Sequence, residues 1–423
     1  MPPLFALVDC NNFYPSVERV FAPALQGKPV IVLSSNDGCV IARSNEAKAL
    51  GIAMGVPEFQ IRSLIRAHSI HVLSSNYTLY GDMSQRVMET LEQFCPDIEV
   101  YSIDECFLSF SGFRSRNLTD YSHTIRTTVQ RWTGIPVSIG IAETKTLAKL
   151  ANRIAKRTPN THGVVDLRTY PDRSQLLSQI PVEEIWGIGS SYARLLNAHG
   201  ITSAQHLTQR SDQWIRKQLG IVGLRLVMEL RGISCLTLED CPPPKHSLTC
   251  ARSFGHTVET LTEMEEAIST YTTRLAEKLR RGKLAATTLT VFLSTNYFSS
   301  DPPYRNTMTV TLPIATDLTH ELIHQSLHSI RTIYRDGHRY KKAGVLLTGL
   351  VPVSQIQTDL FTDHTRVRSA PLMTALDTIN TRWGAGTVHY ASNGFAKSWQ
   401  PKAFRRSPAY TTDWSALPIV HAS

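Results

Sequence analysis

Three stretches of the chain, residues 4–8, 30–33 and 138–142, are short, apolar and of strand length rather than helix length. A second β-rich run covers residues 98–110, and helical patterns fill the gaps. Between 144 and 157 the period is helical: Leu147, Leu150, Ala151 and Ile154 recur on one face, with Lys145, Lys149, Arg153 and Lys156 opposite. That basic face reads as solvated or, beside an acidic site, as facing phosphate. A break at residues 159–163 precedes a stretch, 181–232, that reads as short helices punctuated by Gly187, Gly189, Gly200 and Gly220. Pro242, Pro243 and Pro244 remove three backbone donors in succession, so neither helix nor sheet runs through and a domain boundary is expected there.

Beyond the prolines the pattern predicts a strand at 248–254, a helix at 261–281, strands at 288–294 and 307–312, a helix at 316–335 and a strand at 343–351. The order β-α-β-β-α-β implies a small sheet with two helices on one face and no catalytic cluster of its own. After residue 351 the pattern is patchy and rich in Ser, Thr and Pro. The expected organisation is α+β and multidomain: a mixed front over 1–165, a helical unit over 166–240, the six-element domain over 245–351 and a tail over 352–423. The chain contains no internal repeat.

Composition narrows the class. Of 423 residues, 42% are apolar, enough to fill several cores, and 44 Lys and Arg against 35 Asp and Glu leave a net charge of +9. A sequence pI of 9.2 favours an acidic partner such as nucleic acid. No stretch approaches the ~18 apolar residues of a membrane span, and the start lacks a basic leader, so a soluble cytoplasmic protein is expected. Seven cysteines form no C-x-x-C pair, and their odd number suits a reducing compartment better than disulfides or structural zinc.

The chemistry concentrates where apolar strands end on carboxylates. Asp9 closes the first strand, and Asp104 and Glu105 lie inside the run Tyr101-Ser102-Ile103-Asp104-Glu105. Adjacent strand residues point to opposite faces, so Asp104 and Glu105 converge on one site only if the chain turns there, as in a hairpin. Carboxylates crowded together take up protons unless a cation neutralises them, and Mg²⁺ suits such a trio. Two ions held this way would activate a hydroxyl and stabilise a leaving pyrophosphate. Asn11-Asn12-Phe13-Tyr14-Pro15 follows Asp9 with a polar turn and a helix start, whose amides suit a triphosphate. An aromatic five residues from a metal ligand suits exclusion of a 2′-hydroxyl, while Phe13 suits core packing better. Ile185-Trp186-Gly187-Ile188-Gly189 opens a helix with two glycines, a hairpin form that binds duplex backbone without reading sequence.

Asp9 with Phe13-Tyr14, Ser102-Ile103-Asp104-Glu105 and Lys145-Thr146-Leu147-Ala148-Lys149 together resemble the palm of Y-family translesion DNA polymerases. Asn36-Asp37-Gly38-Cys39-Val40-Ile41-Ala42-Arg43, Glu46-Ala47-Lys48-Ala49-Leu50-Gly51 and Gly337-His338-Arg339-Tyr340-Lys341-Lys342-Ala343-Gly344-Val345 resemble the UmuC branch of that family, over essentially the whole chain. The resemblance implies a right-hand polymerase: palm and fingers over 1–165, with fingers at about 17–75, a thumb over 166–240 and a little finger over 245–351. It implies that Asp9, Cys10, Asp104 and Glu105 hold two Mg²⁺ ions, with Asp9, Asp104 and Glu105 catalytic. Phe13, Tyr14, Asn45, Lys48 and Lys156 would meet the nucleotide, Tyr14 as the sugar gate. Asn45 and Lys48 stand where relatives carry Tyr and Arg, and a lysine offers a point charge in place of a bidentate fork. Lys149, Gly187, Gly189 and Arg252 would contact DNA.

In the tail, Gln357, Leu360 and Phe361 lie in a segment that looks like a sliding-clamp-binding peptide. The resemblance implies error-prone translesion synthesis in DNA repair and SOS mutagenesis on primer-template DNA with deoxynucleoside triphosphates. It also implies a processed UmuD dimer, a RecA filament and the clamp as partners. Two alternatives compete: a catalytically silent DNA- or clamp-binding scaffold of the same fold, and a palm-type nucleotidyl cyclase acting without a template.

Overall fold

The computed structural model describes residues 3–113, 116–170, 172–239, 244–299, 301–356, 365–417 and 419, with the side chains of 365–368 excepted. The chain divides into two compact units. The first takes residues 1–34, 38–242 and 405–423, and the second takes 35–37 and 243–404. No helix among the described residues is long and apolar enough to cross a membrane. The six cysteines among the described residues are free thiols.

In the first unit the elements run β1 (Phe5–Cys10), α1 (Phe13–Phe21), β2 (Val30–Leu33), β3 (Val40–Arg43), α2 (Asn45–Ala49), α3 (Arg62–Ala67), β4 (His71–Ser74) and α4 (Tyr77–Glu92). They continue with β5 (Ile98–Val100), β6 (Glu105–Ser109), α5 (Leu118–Thr133), β7 (Val137–Ala142), α6 (Lys145–Arg157) and β8 (Val164–Asp166). Four helices follow: α7 (Arg173–Ser178), α8 (Ser190–Ala198), α9 (Ala204–Thr208) and α10 (Asp212–Leu230). The main sheet has the order β5-β6-β1-β7-β8, with β1 antiparallel to both β6 and β7. Strand β2 is central in a separate three-stranded sheet, β3-β2-β4.

Because β1 is central, both of its faces are covered. Phe5 and Leu7 pack with α6 and the helices after it, whereas Leu4, Ala6, Val8 and Cys10 pack with α1, α4 and α5. Period-two alternation therefore assigns Asp9 to the α6 side. Glu105 is the direct cross-strand partner of Asp9, and such partners point the same way. Gly140 on β7 allows α6 to approach closely, since a methyl group there would overlap the α6 backbone at Asn152 N and Ala148 O. Asn152 uses the proximity, donating to the carbonyls of Leu7 at 3.2 Å and Ser138 at 2.6 Å.

The second unit comprises β9 (Ser247–Val258), α11 (Leu261–Arg281), β10 (Leu284–Thr295), β11 (Arg305–Thr316), α12 (Thr319–Ile333), β12 (Tyr340–Pro352) and α13 (Thr365–Trp383). Its antiparallel sheet has the order β11-β10-β12-β9, and α11 and α12 bury their apolar stripes against it. The six elements from β9 to β12 appear in the predicted order. Residues 357–364, with the candidate clamp peptide, and 240–243, with part of the proline run, lie outside the described residues.

One expectation is corrected. Lys145 is not on a solvated face: it is 4% exposed, and its ammonium pairs with Glu99. The rest of the basic face is also ion-paired, with Lys149 on Glu105, Arg153 and Arg157 on Glu184, and Lys156 on Asp9. The helix lies over carboxylates of its own unit, and each cation has found one.

Candidate active site

The run between β5 and β6 is a tight hairpin: the amides of Tyr101 and Ser102 donate to the carbonyl of Glu105 at 3.0 and 3.1 Å. Ser102 donates its hydroxyl to Asp104 at 2.7 Å and accepts the amides of Asp104 and Glu105, so one side chain holds the turn. The Cys10 amide donates to the Asp104 carbonyl at 2.8 Å, tying the hairpin to the end of β1. The chain does turn as the sequence required, yet the two carboxylates serve different clefts.

Glu105 lines a cleft of about 280 Å³ with Lys149, Arg153, Trp186 and Leu230. Asp104 lines a second, of about 350 Å³, with Tyr14, Ile41, Arg43, Lys48 and Met54. Asp9 and Lys156 line both, standing at their junction.

Burial dominates the electrostatics of Asp9 and pushes its carboxyl up to about 7, with Glu105 and Asp104 adding to the rise while Lys156 opposes it. Among the described residues no three His, Cys, Asp or Glu side chains converge closely enough to enclose an ion; Asp9 and Glu105 each turn to an ammonium. The donor set is nonetheless hard oxygen, carboxylates and a main-chain carbonyl, which fits a divalent cation such as Mg²⁺. Cys10 is 3% exposed, and burial holds its thiol well above the ordinary range, which leaves its main-chain carbonyl as the group it could offer.

In the second cleft Asn12 is a hub. It adopts the left-handed conformation, φ 48° and ψ 47°, at the start of α1, donates its amide to Asn45 at 3.0 Å and accepts from Lys48. Asn45 and Lys48 are thus brought to the site through a residue the sequence marked only as part of a polar turn. Phe13 and Tyr14 both line the cleft, Phe13 as a core residue only 4% exposed and Tyr14 as the more open ring. Arg43, whose Nε is buried without a hydrogen-bond partner, also lines it and was not singled out. Its position at the end of a short strand carries no signal of its own.

On the Glu105 side, the Lys149 ammonium sits 4.3 Å from the ring centroid of Tyr101 and 4.9 Å from that of Trp186. The indole donates to the Tyr101 hydroxyl at 3.2 Å. Gly187 and Gly189 line neither cleft: Gly187 has φ +87° against Leu226, and Gly189 is the residue preceding α8. Arg252 is exposed on β9 of the second unit.

Residues 8–153 match the impB/mucB/samB family, residues 245–360 that family's C-terminal domain and residues 170–201 the HHH motif of the IMS family. Residues 370–420 match a domain of unknown function. The chain is 46% identical over 418 residues to protein UmuC of Salmonella typhimurium strain LT2, covering 98% of this chain and 99% of that one. It is 40% identical to protein MucB of Escherichia coli over 99% of each chain. DNA polymerase IV of Moorella thermoacetica is 29% identical over 91% of this chain and 94% of its own. A Y-family DNA polymerase chimera of known structure shares the fold, with a TM-score of 0.66 and 21% identity over 82% of this chain and 99% of that one.

Proposed function

The chain belongs to the impB/mucB/samB family, in the UmuC branch of the Y-family DNA polymerases, and from that premise we propose how its two clefts extend a primer across damaged DNA. It is a DNA-directed DNA polymerase for translesion synthesis, acting on DNA with deoxynucleoside triphosphates. One observation carries the proposed division of labour: Asp9 stands where the clefts meet, with Glu105 in one and Asp104 in the other.

The Asp104 cleft takes the incoming nucleotide. Lys48, set by Asn12 and Asn45, and Lys156 face the triphosphate, and Tyr14 stands beneath the sugar. The Glu105 cleft takes the primer end, where Glu105 orients the 3′-hydroxyl and Lys149 orients Glu105. Asp9, Asp104, Glu105 and the Cys10 carbonyl would hold two Mg²⁺ ions, which when bound supply charge neutralisation for nucleotidyl transfer. Lys156 would then exchange its carboxylate partner Asp9 for phosphate, while Lys149 stays on Glu105. Gly187, Gly189 and Arg252 would contact duplex backbone. Gln357, Leu360 and Phe361 would bind the sliding clamp, and a processed UmuD dimer and RecA filament would complete the active form in SOS mutagenesis. A silent scaffold would have no use for a desolvated carboxylate at the meeting point of two clefts.

The test is primer extension past an abasic site with Mg²⁺, comparing wild type with Asp104→Ala, with and without processed UmuD, RecA filament and clamp. Extension abolished by Asp104→Ala while primer-template binding persists is the expected result. Binding without synthesis by the wild-type chain, with every partner present, would overturn the reading.

A further inference from the structure

Tyr14 does not rest on a generic core. Its ring stacks on Tyr80 with centroids 4.2 Å apart and planes at 15°, and Tyr77 meets it edge-on at 6.2 Å. Tyr80 is fully buried, and its hydroxyl donates to Glu18 Oε1 at 2.6 Å. Glu18 lies one helical turn beyond Tyr14 on α1, so the same helix supplies the exposed ring and the anchor of the ring beneath it.

The same Glu18 oxygen accepts the hydroxyl of Ser407 at 3.0 Å. Ser407 is held in turn by the Asn76 amide, which donates to Ser407 Oγ at 3.0 Å, Ser407 O at 3.1 Å and Pro408 O at 3.2 Å. Asn76 also caps α4, the helix that carries Tyr77 and Tyr80. On either side the segment is pinned again, Arg405 by reciprocal bonds with Ser74 at 3.0 Å and Tyr410 by stacking on Phe21 at 4.8 Å.

We infer that residues 405–410 form a strap that sets the sugar gate, with Ser407 and Glu18 acting as positioning residues for Tyr14 through Tyr80. The inference rests on the reading of Tyr14 as the gate. A gate excludes a hydroxyl only if it cannot yield, because the difference between substrates is one small group. The strap removes the freedom to yield: it fixes Glu18, Glu18 fixes the Tyr80 hydroxyl, and the Tyr80 ring closes the space behind Tyr14. Loosening any link lets Tyr14 move back and admits the 2′-hydroxyl without touching the carboxylates.

The experiment measures kcat/KM for a deoxynucleotide and the matching ribonucleotide on one primer-template, using the full chain with its partners. The readout is the ribo-to-deoxy ratio, which does not depend on how much of a variant is folded. Tyr14→Ala is the control, and an unchanged ratio there would overturn the gate reading itself. Given a responsive gate, Glu18→Leu is expected to raise the ratio about fivefold and Ser407→Ala about threefold, mostly through the ribonucleotide KM. Glu18→Gln keeps an acceptor oxygen and should restore the ratio to within about twofold of wild type. Combined, Glu18→Leu and Ser407→Ala should act less than additively, since both cut one chain of contacts. A ratio that rises in Tyr14→Ala but stays at the wild-type value in both Glu18→Leu and Ser407→Ala would overturn the strap while leaving the gate intact.

Discussion

The ammonium of Lys149 lies 3.0 Å from Glu105 Oε2 and 3.2 Å from Oε1, centred on the carboxylate rather than on one oxygen. Two aromatic faces, Tyr101 and Trp186, keep it there. A charged hydrogen bond contributes about 1.5–3 kcal/mol, and each cation–π contact about 0.5–2 kcal/mol. Lys149→Met should therefore lower the single-turnover rate by about tenfold, with Trp186→Leu costing about threefold. The KM for the incoming nucleotide should stay within about twofold, because Lys149 does not line the cleft that holds Tyr14. A KM effect equal to the rate effect would place Lys149 at the nucleotide instead.

Lys156 gives the reciprocal pattern. It lines both clefts and pairs with Asp9, so it is positioned to meet a triphosphate as soon as Asp9 has another cation. Lys156→Met should raise the nucleotide KM about tenfold while lowering kcat less, as measured by single-nucleotide incorporation. An unchanged KM would remove Lys156 from the nucleotide site.

Gly140→Ala tests the support beneath both lysines. The added methyl has only backbone to displace, so α6 must move away from β7. Overpacking of this kind costs roughly 1–3 kcal/mol, and the shift carries Lys149 and Lys156 with it. Thermal unfolding should come several degrees earlier, and extension activity measured well below that transition should fall by more than tenfold. Loss of stability with full activity at low temperature would show that the lysines do not depend on this packing.

What was legible in the sequence followed from local pattern. The buried face of α6 was visible in the spacing of Leu147, Leu150 and Ala151, and the six elements from β9 to β12 in alternation and helical period. The turn between Asp104 and Glu105 was expected too, but it does not bring them onto one site: each opens onto its own cleft. What escaped depended on distant partners. Strand β8 has three residues and exists by pairing parallel to β7. Lys145 looked solvated until Glu99, 46 residues away, covered its charge. Ser407 meets Asn76 and Glu18 across 331 and 389 residues, and nothing in a stretch of Ser, Pro and Tyr announces such a contact.

Glu18 supplies the last prediction, in which pH is the variable. Burial raises its carboxyl above the ordinary value of 4.5, although the bonds from Tyr80 and Ser407 pull the other way. The sign follows from linkage: folding favours the protonated form, so the group's stabilising contribution is complete below 4.5. As pH rises past that value the unfolded chain ionises first, and the contribution is lost progressively until the folded group ionises as well. Glu18→Gln removes the titration but keeps an acceptor for both hydroxyls. Its transition temperature relative to wild type should therefore climb as pH rises above 4.5 and level off above the folded value. Thermal unfolding of the two proteins in parallel across that range measures the difference. A constant difference would mean that Glu18 enters the folded chain with its ordinary affinity for protons, and that the bonds from Tyr80 and Ser407 fully offset its burial.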